Sequence, residues 1–354
     1  MINLTINGQK VQARPGITIL ELTRELGIEI PTLCYDPALR LVGSCRMCLV
    51  EIEGWRNLQA SCIAPVGEGM VIQTESPAVM EARRMVLELL LANHPQDCLT
   101  CDKSGDCRLQ DYCYRYGVRD SRFETGGTYD YPITDPNPFI VRDYNKCIMC
   151  TKCVRACEEI TGANALNVDN RGHKASICAG FDGTYADSTC IFCGQCVMVC
   201  PTGALTNRPE HGQARRWETK KVLTTCGYCG VGCTLELNVK DDKVVGVTSD
   251  RSPNQSPVNK GALCVKGRYG WEFINHPDRL TDPLIKENGE FRKATWEEAL
   301  DLVAARLTEI KQQHGADSLM AVASARTTNE ENYVVQKFAR AVLGTNNIDH
   351  CARL

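Results

Sequence analysis

Eight of the nine cysteines between positions 147 and 200 constrain this chain more than anything else in it. They read Cys147-Ile-Met-Cys150-Thr-Lys-Cys153-Val-Arg-Ala-Cys157 and then, 43 residues on, Cys190-Ile-Phe-Cys193-Gly-Gln-Cys196-Val-Met-Val-Cys200-Pro201. A 4Fe-4S cube has four irons, each wanting one terminal thiolate. A tight Cys-x2-Cys-x2-Cys loop supplies three, and a cysteine further along the chain supplies the fourth. Two such runs suit two cubes whose fourth ligands cross over. Zinc takes four ligands, usually as two separated pairs, so four cysteines within one short run, repeated, exceed what it needs.

Composition agrees with metal use rather than disulfides. The chain has 354 residues and 22 cysteines, too dilute for a small disulfide scaffold and long enough for several domains. Ile2, Leu4 and Ile6 alternate as a strand does, so the opening does not read as a signal peptide. The longest apolar patch, Met85 to Ala92, is interrupted by Glu88 and is too short to span a bilayer. No direct membrane insertion is expected. A net charge of −3 advertises no nucleic-acid partner either. Thiol wealth without an export signal points to a cytoplasmic, metal-rich protein.

The first segment, to about Thr74, reads as a small mixed domain. Asn7-Gly8 is a hairpin turn between two short strands, and Thr18 caps a helix running to Leu26. Cys34, Cys45, Cys48 and Cys62 follow. Their plan is that of a 2Fe-2S site of the plant ferredoxin type, with a longer first gap than the usual four residues. A 2Fe-2S cluster in a β-grasp domain is expected, and zinc on the same thiols is the alternative. Ser76-Pro77 then starts a helix to about Asn93. At its end stands His94, followed by Cys98, Cys101 and Cys107. On spacing alone a His-ligated 4Fe-4S cluster and a structural zinc site are equally good readings of this set. Cys113 reads as an unligated core thiol.

Tyr129 to Asn137 is a linker, rich in Pro, Asp and Thr. Within the double module, strands are expected at 163–168 and 174–177, and each motif's last cysteine is expected to open a short helix. A third zone begins near Lys220, where Cys226, Cys229 and Cys233 are followed, after 30 intervening residues, by Cys264. Glycines sit where backbone must wrap closely around a cube. A helix from Trp296 to Gln313, a buried strand at 318–323 and a helix from Glu330 to Val342 complete an α/β pattern. Nineteen cysteines and His94 make five sets, with Cys113, Cys178 and Cys351 left over. No Gly-x-Gly-x-x-Gly follows a strand, so the chain shows no dinucleotide fingerprint of its own.

This order of motifs resembles the catalytic alpha subunit of cytoplasmic, NAD(P)-linked molybdenum or tungsten formate dehydrogenases. The first two hundred residues also resemble the large iron–sulfur subunit of complex I and the N-terminal half of iron-only hydrogenases. The resemblance implies an α+β multidomain chain. Residues 1–76 would be a β-grasp 2Fe-2S ferredoxin domain, and 77–138 a helical His–Cys cluster domain with a linker. Residues 139–210 would be a duplicated bacterial-type ferredoxin domain, and 219–354 the start of a molybdopterin oxidoreductase domain.

It implies one 2Fe-2S cluster on Cys34, Cys45, Cys48 and Cys62. Four 4Fe-4S clusters would sit on His94, Cys98, Cys101 and Cys107; on Cys147, Cys150, Cys153 and Cys200; on Cys157, Cys190, Cys193 and Cys196; and on Cys226, Cys229, Cys233 and Cys264. Lys266 would lie between the last cluster and a Mo- or W-bis(molybdopterin guanine dinucleotide) cofactor; its bland reading is a solvated surface lysine. The run Asn346 to Leu354 resembles the approach to the cysteine or selenocysteine that binds Mo or W, so a selenocysteine codon read as a stop is expected just beyond Leu354. A flavin-containing, NAD(P)H-reactive subunit and a small 2Fe-2S subunit would complete a hetero-oligomer. The activity implied is oxidation of formate with NAD(P)+ or ferredoxin as acceptor. The alternative is a non-catalytic electron-transfer subunit of a complex I-like NADH dehydrogenase.

Overall fold

The computed structural model describes residues 1–123, 129–133, 135–181, 183–250 and 255–351. Ile2–Ile6 (β1) pairs antiparallel with Gln9–Ala13 (β2) across the Asn7-Gly8 turn. Thr18 caps Ile19–Glu25 (α1): its hydroxyl accepts from Glu21 N, and the Glu21 carboxylate accepts from Thr18 N. This reciprocal box satisfies two otherwise orphaned N–H groups. Leu49–Ile52 (β3), Gln59–Ala60 (β4) and Val71–Gln73 (β5) complete a five-stranded sheet in the order β2-β1-β5-β3-β4, with β1 and β5 parallel. Ile19, Leu20 and Leu22 of α1 join Leu4, Ile6, Val50, Ile52 and Ile72 in its core. Each such side chain, fully buried, contributes ~1.5–3 kcal/mol.

Ser76 caps Pro77–Leu91 (α2), which stops two residues short of the expected Asn93. Cys107 precedes Arg108–Tyr116 (α3). Leu33 and Met47 from the first module share a core with Leu87, Leu109, Tyr112 and Tyr116 of these helices. The junction is pinned by Arg83, which is fully buried and donates to Leu49 O at 2.9 Å and to Tyr116 Oη at 3.1 Å.

The double-motif region has strands Ile140–Arg142 (β6), Leu166–Asp169 (β7), Ser176–Ala179 (β8) and Leu205–Asn207 (β9). β6 pairs with β9 and β7 with β8, both antiparallel. Lys152–Arg155 (α4) runs on into a wider π-type turn, Ala156–Thr161, and Gln195–Val199 (α5) is its counterpart. The expectation that each last cysteine opens a helix is corrected here. The helices begin beside the third cysteine instead. Cys157 lies inside the turn that prolongs α4, and Cys200 follows the last residue of α5, where Pro201 has no N–H with which to continue.

Lys220–Thr225 (β10), Thr234–Lys240 (β11) and Lys243–Thr248 (β12) form an antiparallel meander. Val265–Tyr269 (α6) packs on β12, and Leu235, Val247, Leu263 and Trp271 form the core. Beyond it come Leu284–Glu287 (β13), Glu290–Lys293 (β14), Trp296–His314 (α7), Ala321–Ser324 (β15), Asn329–Phe338 (α8) and Ile348–Cys351 (β16). β15 and β16 pair in parallel. The strand expected to be buried at 318–323 is half-exposed, with Val322 at 65%. A two-stranded ribbon offers too little surface to bury either face, and α7 buries none of its own residues. Thr134 of the expected linker and Ala352, Arg353 and Leu354 of the C-terminal run lie outside the described residues. Among the described residues no helix is long and apolar enough to cross a membrane.

Candidate metal centres

The eight cysteines of the repeat frame two small, separate cavities with apolar linings. One is lined by Cys147, Cys150, Cys153 and Cys200, with Tyr144, Ile177 and Leu205. The other is lined by Cys157, Cys190, Cys193 and Cys196, with Ile140, Leu166 and Tyr185. Each cavity thus takes three cysteines from one motif and the last cysteine of the other. The backbone repeats as well. Met149 and Thr151 have φ of 50 and 57, and their counterparts Phe192 and Gly194 have φ of 53 and 70. At these left-handed turns Met149 N donates to Cys147 Sγ and Phe192 N to Cys190 Sγ, both at 3.4 Å. Burial pushes three of these thiols up, Cys147 and Cys190 to about 11 and Cys150 to about 12. Such thiols do not ionise unaided near neutral pH, whereas a bound metal deprotonates a coordinating thiol outright. The donor set, its N–H···S support and the apolar lining all fit a cube.

In the first module Cys34, Cys48 and Cys62 are buried. Cys34 N donates to Cys45 Sγ at 3.4 Å and Cys45 N to Cys34 Sγ at 3.5 Å. The Cys45 thiol donates to Cys34 and pushes it down, and the Cys62 thiol does the same to Cys48. The four therefore fall into two pairs, as a two-iron cluster with two thiolates per iron requires.

His94 sits just past α2 with its Nδ1 buried and without a partner, and burial pushes its pKa down. A neutral imidazole with an unused ring nitrogen can ligate a metal. Burial pushes the Cys107 and Cys101 thiols up, against the opposing pull of the Leu109 and Gln110 N–H groups at Cys107 and of Lys103 N–H at Cys101. Cys101 lies within electrostatic reach of both Cys98 and Cys107. A Cβ at Gly203 would stand 2.6 Å from Cys101 Sγ, so the double module can approach this set only with glycine there. Cys113, half-buried and pushed up to about 11 by burial, is also within reach of Cys98 and Cys107.

Cys226, Cys229, Cys233 and Cys264 lie within electrostatic reach of one another at the end of the meander. Cys226 N donates to Cys233 O at 2.8 Å and closes the loop. Cys264 caps α6 and is exposed, and Lys266 in its first turn is exposed too. Among the described residues no group of three or more His, Cys, Asp or Glu is placed to hold a single metal ion. Clusters spread their ligands over several irons and ask for wider sets.

Sequence reasoning missed two arginines. Arg268, fully buried on α6, donates through Nε to Cys193 O at 3.0 Å, lies within electrostatic reach of half-buried Glu210, and packs where any Cβ at Gly194 would collide with it. Arg215 donates to Cys101 O at 2.5 Å and to Leu99 O at 2.7 Å. Both reach the peptide carbonyl of a cysteine in another module.

Comparison with known proteins fits this arrangement. Residues 1–77 match the 2Fe-2S iron-sulfur cluster binding domain, and 83–122 the NADH-ubiquinone oxidoreductase-G iron-sulfur binding region. Residues 137–206 match the ferredoxin-like domain of NADH-quinone oxidoreductase subunit 3. Residues 219–276 match the molybdopterin oxidoreductase Fe4S4 domain, and 279–354 match molybdopterin oxidoreductase. Among solved structures, a chain of the NAD+-reducing NiFe-hydrogenase in the H2-reduced state is 33% identical with a TM-score of 0.56, over 60% of this chain and 90% of that one. The chain belongs to the family of NADH-quinone oxidoreductase iron–sulfur subunits and molybdopterin oxidoreductases. Other members of similar sequence are longer. NADPH-Fe(3+) oxidoreductase subunit alpha of Geobacter sulfurreducens is 40% identical over all of this chain and 40% of its own length. An NADH-quinone oxidoreductase subunit of Rhizobium meliloti is 42% identical over the same shares. A provisionally named formate dehydrogenase of Staphylococcus aureus is 34% identical over 99% of this chain and 39% of itself. The chain thus spans about two-fifths of the length of these relatives, and its matched regions are iron–sulfur domains followed by a molybdopterin oxidoreductase region.

Proposed function

We propose that this chain is the relay of a formate dehydrogenase alpha subunit. It carries electrons between a Mo- or W-bis(molybdopterin guanine dinucleotide) formate/CO2 site and a flavin-containing, NAD(P)H-reactive partner subunit, with a small 2Fe-2S subunit in the same cytoplasmic hetero-oligomer. The five cysteine and histidine sets named above would hold one 2Fe-2S and four 4Fe-4S clusters, which supply one-electron chemistry when bound. The chain's own contribution is to hold each set dry and fixed in series. Lys266 would stand between the Cys264 cluster and the pterin.

The observation that supports this reading best is the pair of cavities with interchanged fourth cysteines, lying between the Cys34 set and the Cys264 set in one chain. The test is metal analysis of the native complex together with formate-dependent reduction of NAD(P)+. Mo or W with formate turnover upholds the reading. A complex with neither metal and no formate turnover favours the second reading, an electron-transfer subunit of a complex I-like NADH dehydrogenase. The 42% identity to the Rhizobium meliloti NADH-quinone oxidoreductase chain supports that reading.

A further inference from the structure

Helix α4 and the turn after it carry Cys153 and Cys157, four residues apart and so on one face, where they line the two cavities. Lys152, Arg155, Glu158 and Glu159 of the same stretch reach a single loop, 34–40, which begins at Cys34. Lys152 Nζ lies 3.6 Å from Asp36 Oδ2. The Arg40 guanidinium lies 3.1 Å from Glu158 and 3.4 Å from Glu159, and Arg40 N donates to Glu159 at 2.7 Å. Leu39 of this loop is buried in the core of the double module.

Arg155 stands between these contacts, 2% exposed. Its Nη1 donates to Arg40 O at 2.6 Å, and its Nη2 donates to Cys34 O at 2.7 Å and to Cys150 O at 3.2 Å. One nitrogen is therefore bonded to the peptide of a cysteine from each of two candidate centres. An ordinary clip between modules needs neither a charge nor a cysteine, and burying a guanidinium costs several kcal/mol before its partners offset it. Arg155 meets carbonyls, which leave its charge unneutralised, and its Nε is buried without a partner. An unneutralised buried cation favours whatever negative charge arrives nearby.

We propose that Arg155 is the positioning residue for electron transfer between the Cys34/Cys45/Cys48/Cys62 centre and the Cys147/Cys150/Cys153/Cys200 centre. This rests on the reading of those sets as a 2Fe-2S and a 4Fe-4S cluster. The step moves one electron, with no proton and no bond made or broken: one centre is oxidised by the electron that the other gains. The shared Nη2 fixes the separation of the two sets, and the charge favours the reduced form of each.

The test uses the full chain with its iron loaded, as wild type, Arg155→Met and Arg155→Lys. Iron content, the reduction potential of the 2Fe-2S electron-spin signal and the relaxation enhancement of that signal by the neighbouring reduced cube are measured. R155M is expected to keep its iron. Its 2Fe-2S equilibrium constant for reduction should fall about tenfold, or 59 mV for one electron, with weaker relaxation enhancement. R155K should recover the potential and not the relaxation, because an ammonium keeps the charge without the planar fork. Wild-type potential and relaxation in R155M overturn the proposal, as does an R155K potential equal to that of R155M. If R155M alone loses iron, R155K decides: weakened relaxation upholds the proposal and wild-type relaxation overturns it. Loss of iron from both variants makes Arg155 a folding residue and overturns it too. A wild-type chain with iron-free Cys34 or Cys147 sets fails the cluster assignment itself, and the proposal with it.

Discussion

Thr151 and Gly194 hold the same place in the two halves of the repeat, and both are left-handed. Glycine adopts that geometry freely, whereas a side-chain-bearing residue loses about 1–2 kcal/mol there. Thr151→Gly is expected to stabilise the loaded protein by ~1 kcal/mol at unchanged iron content, read as a higher denaturation midpoint; a lower midpoint would mean that the threonine side chain is needed. At the His94 set, His94→Cys should retain iron and make that centre harder to reduce, because a thiolate brings a charge that neutral imidazole does not. A redox titration of the variant checks the sign. Cys113→Ala should leave the iron content alone while Cys107→Ala loses one centre. Cys113 lies on α3, one residue type among many in that core, whereas Cys107 Sγ sits at the helix N-terminus where free N–H groups stabilise a thiolate. Equal iron losses from the two variants would reassign the set.

At the scale of elements, α6 joins two centres through its last turn. Cys264 caps it, Arg268 reaches back to Cys193 O, and Tyr269 stacks on Phe139 at 4.8 Å. Arg268→Met is expected to cost about 1.5–3 kcal/mol, because it takes a charged donor from Cys193 O and a buried cation from within electrostatic reach of the half-buried Glu210 carboxylate. Chemical denaturation of the full chain measures it, and a cost near zero would mean that the two charges are not coupled. Such links explain which parts of the molecule were legible in advance. Cysteine sets are legible because a loop that wraps a cube must place its thiols at short, fixed spacings. Strands β10 to β12 and helices α1 and α2 were legible from alternation and caps. Arg155, Arg215 and Arg268 were not, since their partners are peptide carbonyls, which every residue type carries, and most lie more than 70 residues away. The position of α5 was missed because Cys200-Pro201 resembles a helix start, although here it follows a helix end.

Over the whole molecule three candidate sets gather on the double module. The Cys34 set meets the double module through loop 34–40, the His94 set meets it through Gly203 and Lys146, whose Nζ lies 2.8 Å from Asp97, and the Cys264 set meets it through α6. If all five sets hold their proposed clusters, the loaded chain carries roughly eighteen irons and no zinc. Zinc in the His94 set would lower that to roughly fourteen irons with one zinc. Metal analysis of the purified chain distinguishes the two counts. The interchange of Cys157 and Cys200 has a further effect, on how such a protein is made and how it fails. Each half of the repeat lends the other the residue it lacks, like two links closed through one another. Neither metal site can be finished until both halves of the chain are present. Oxygen that expels the metal from one of them also releases a cysteine from the loop that shapes its neighbour, so repair and decay alike should run through the pair together.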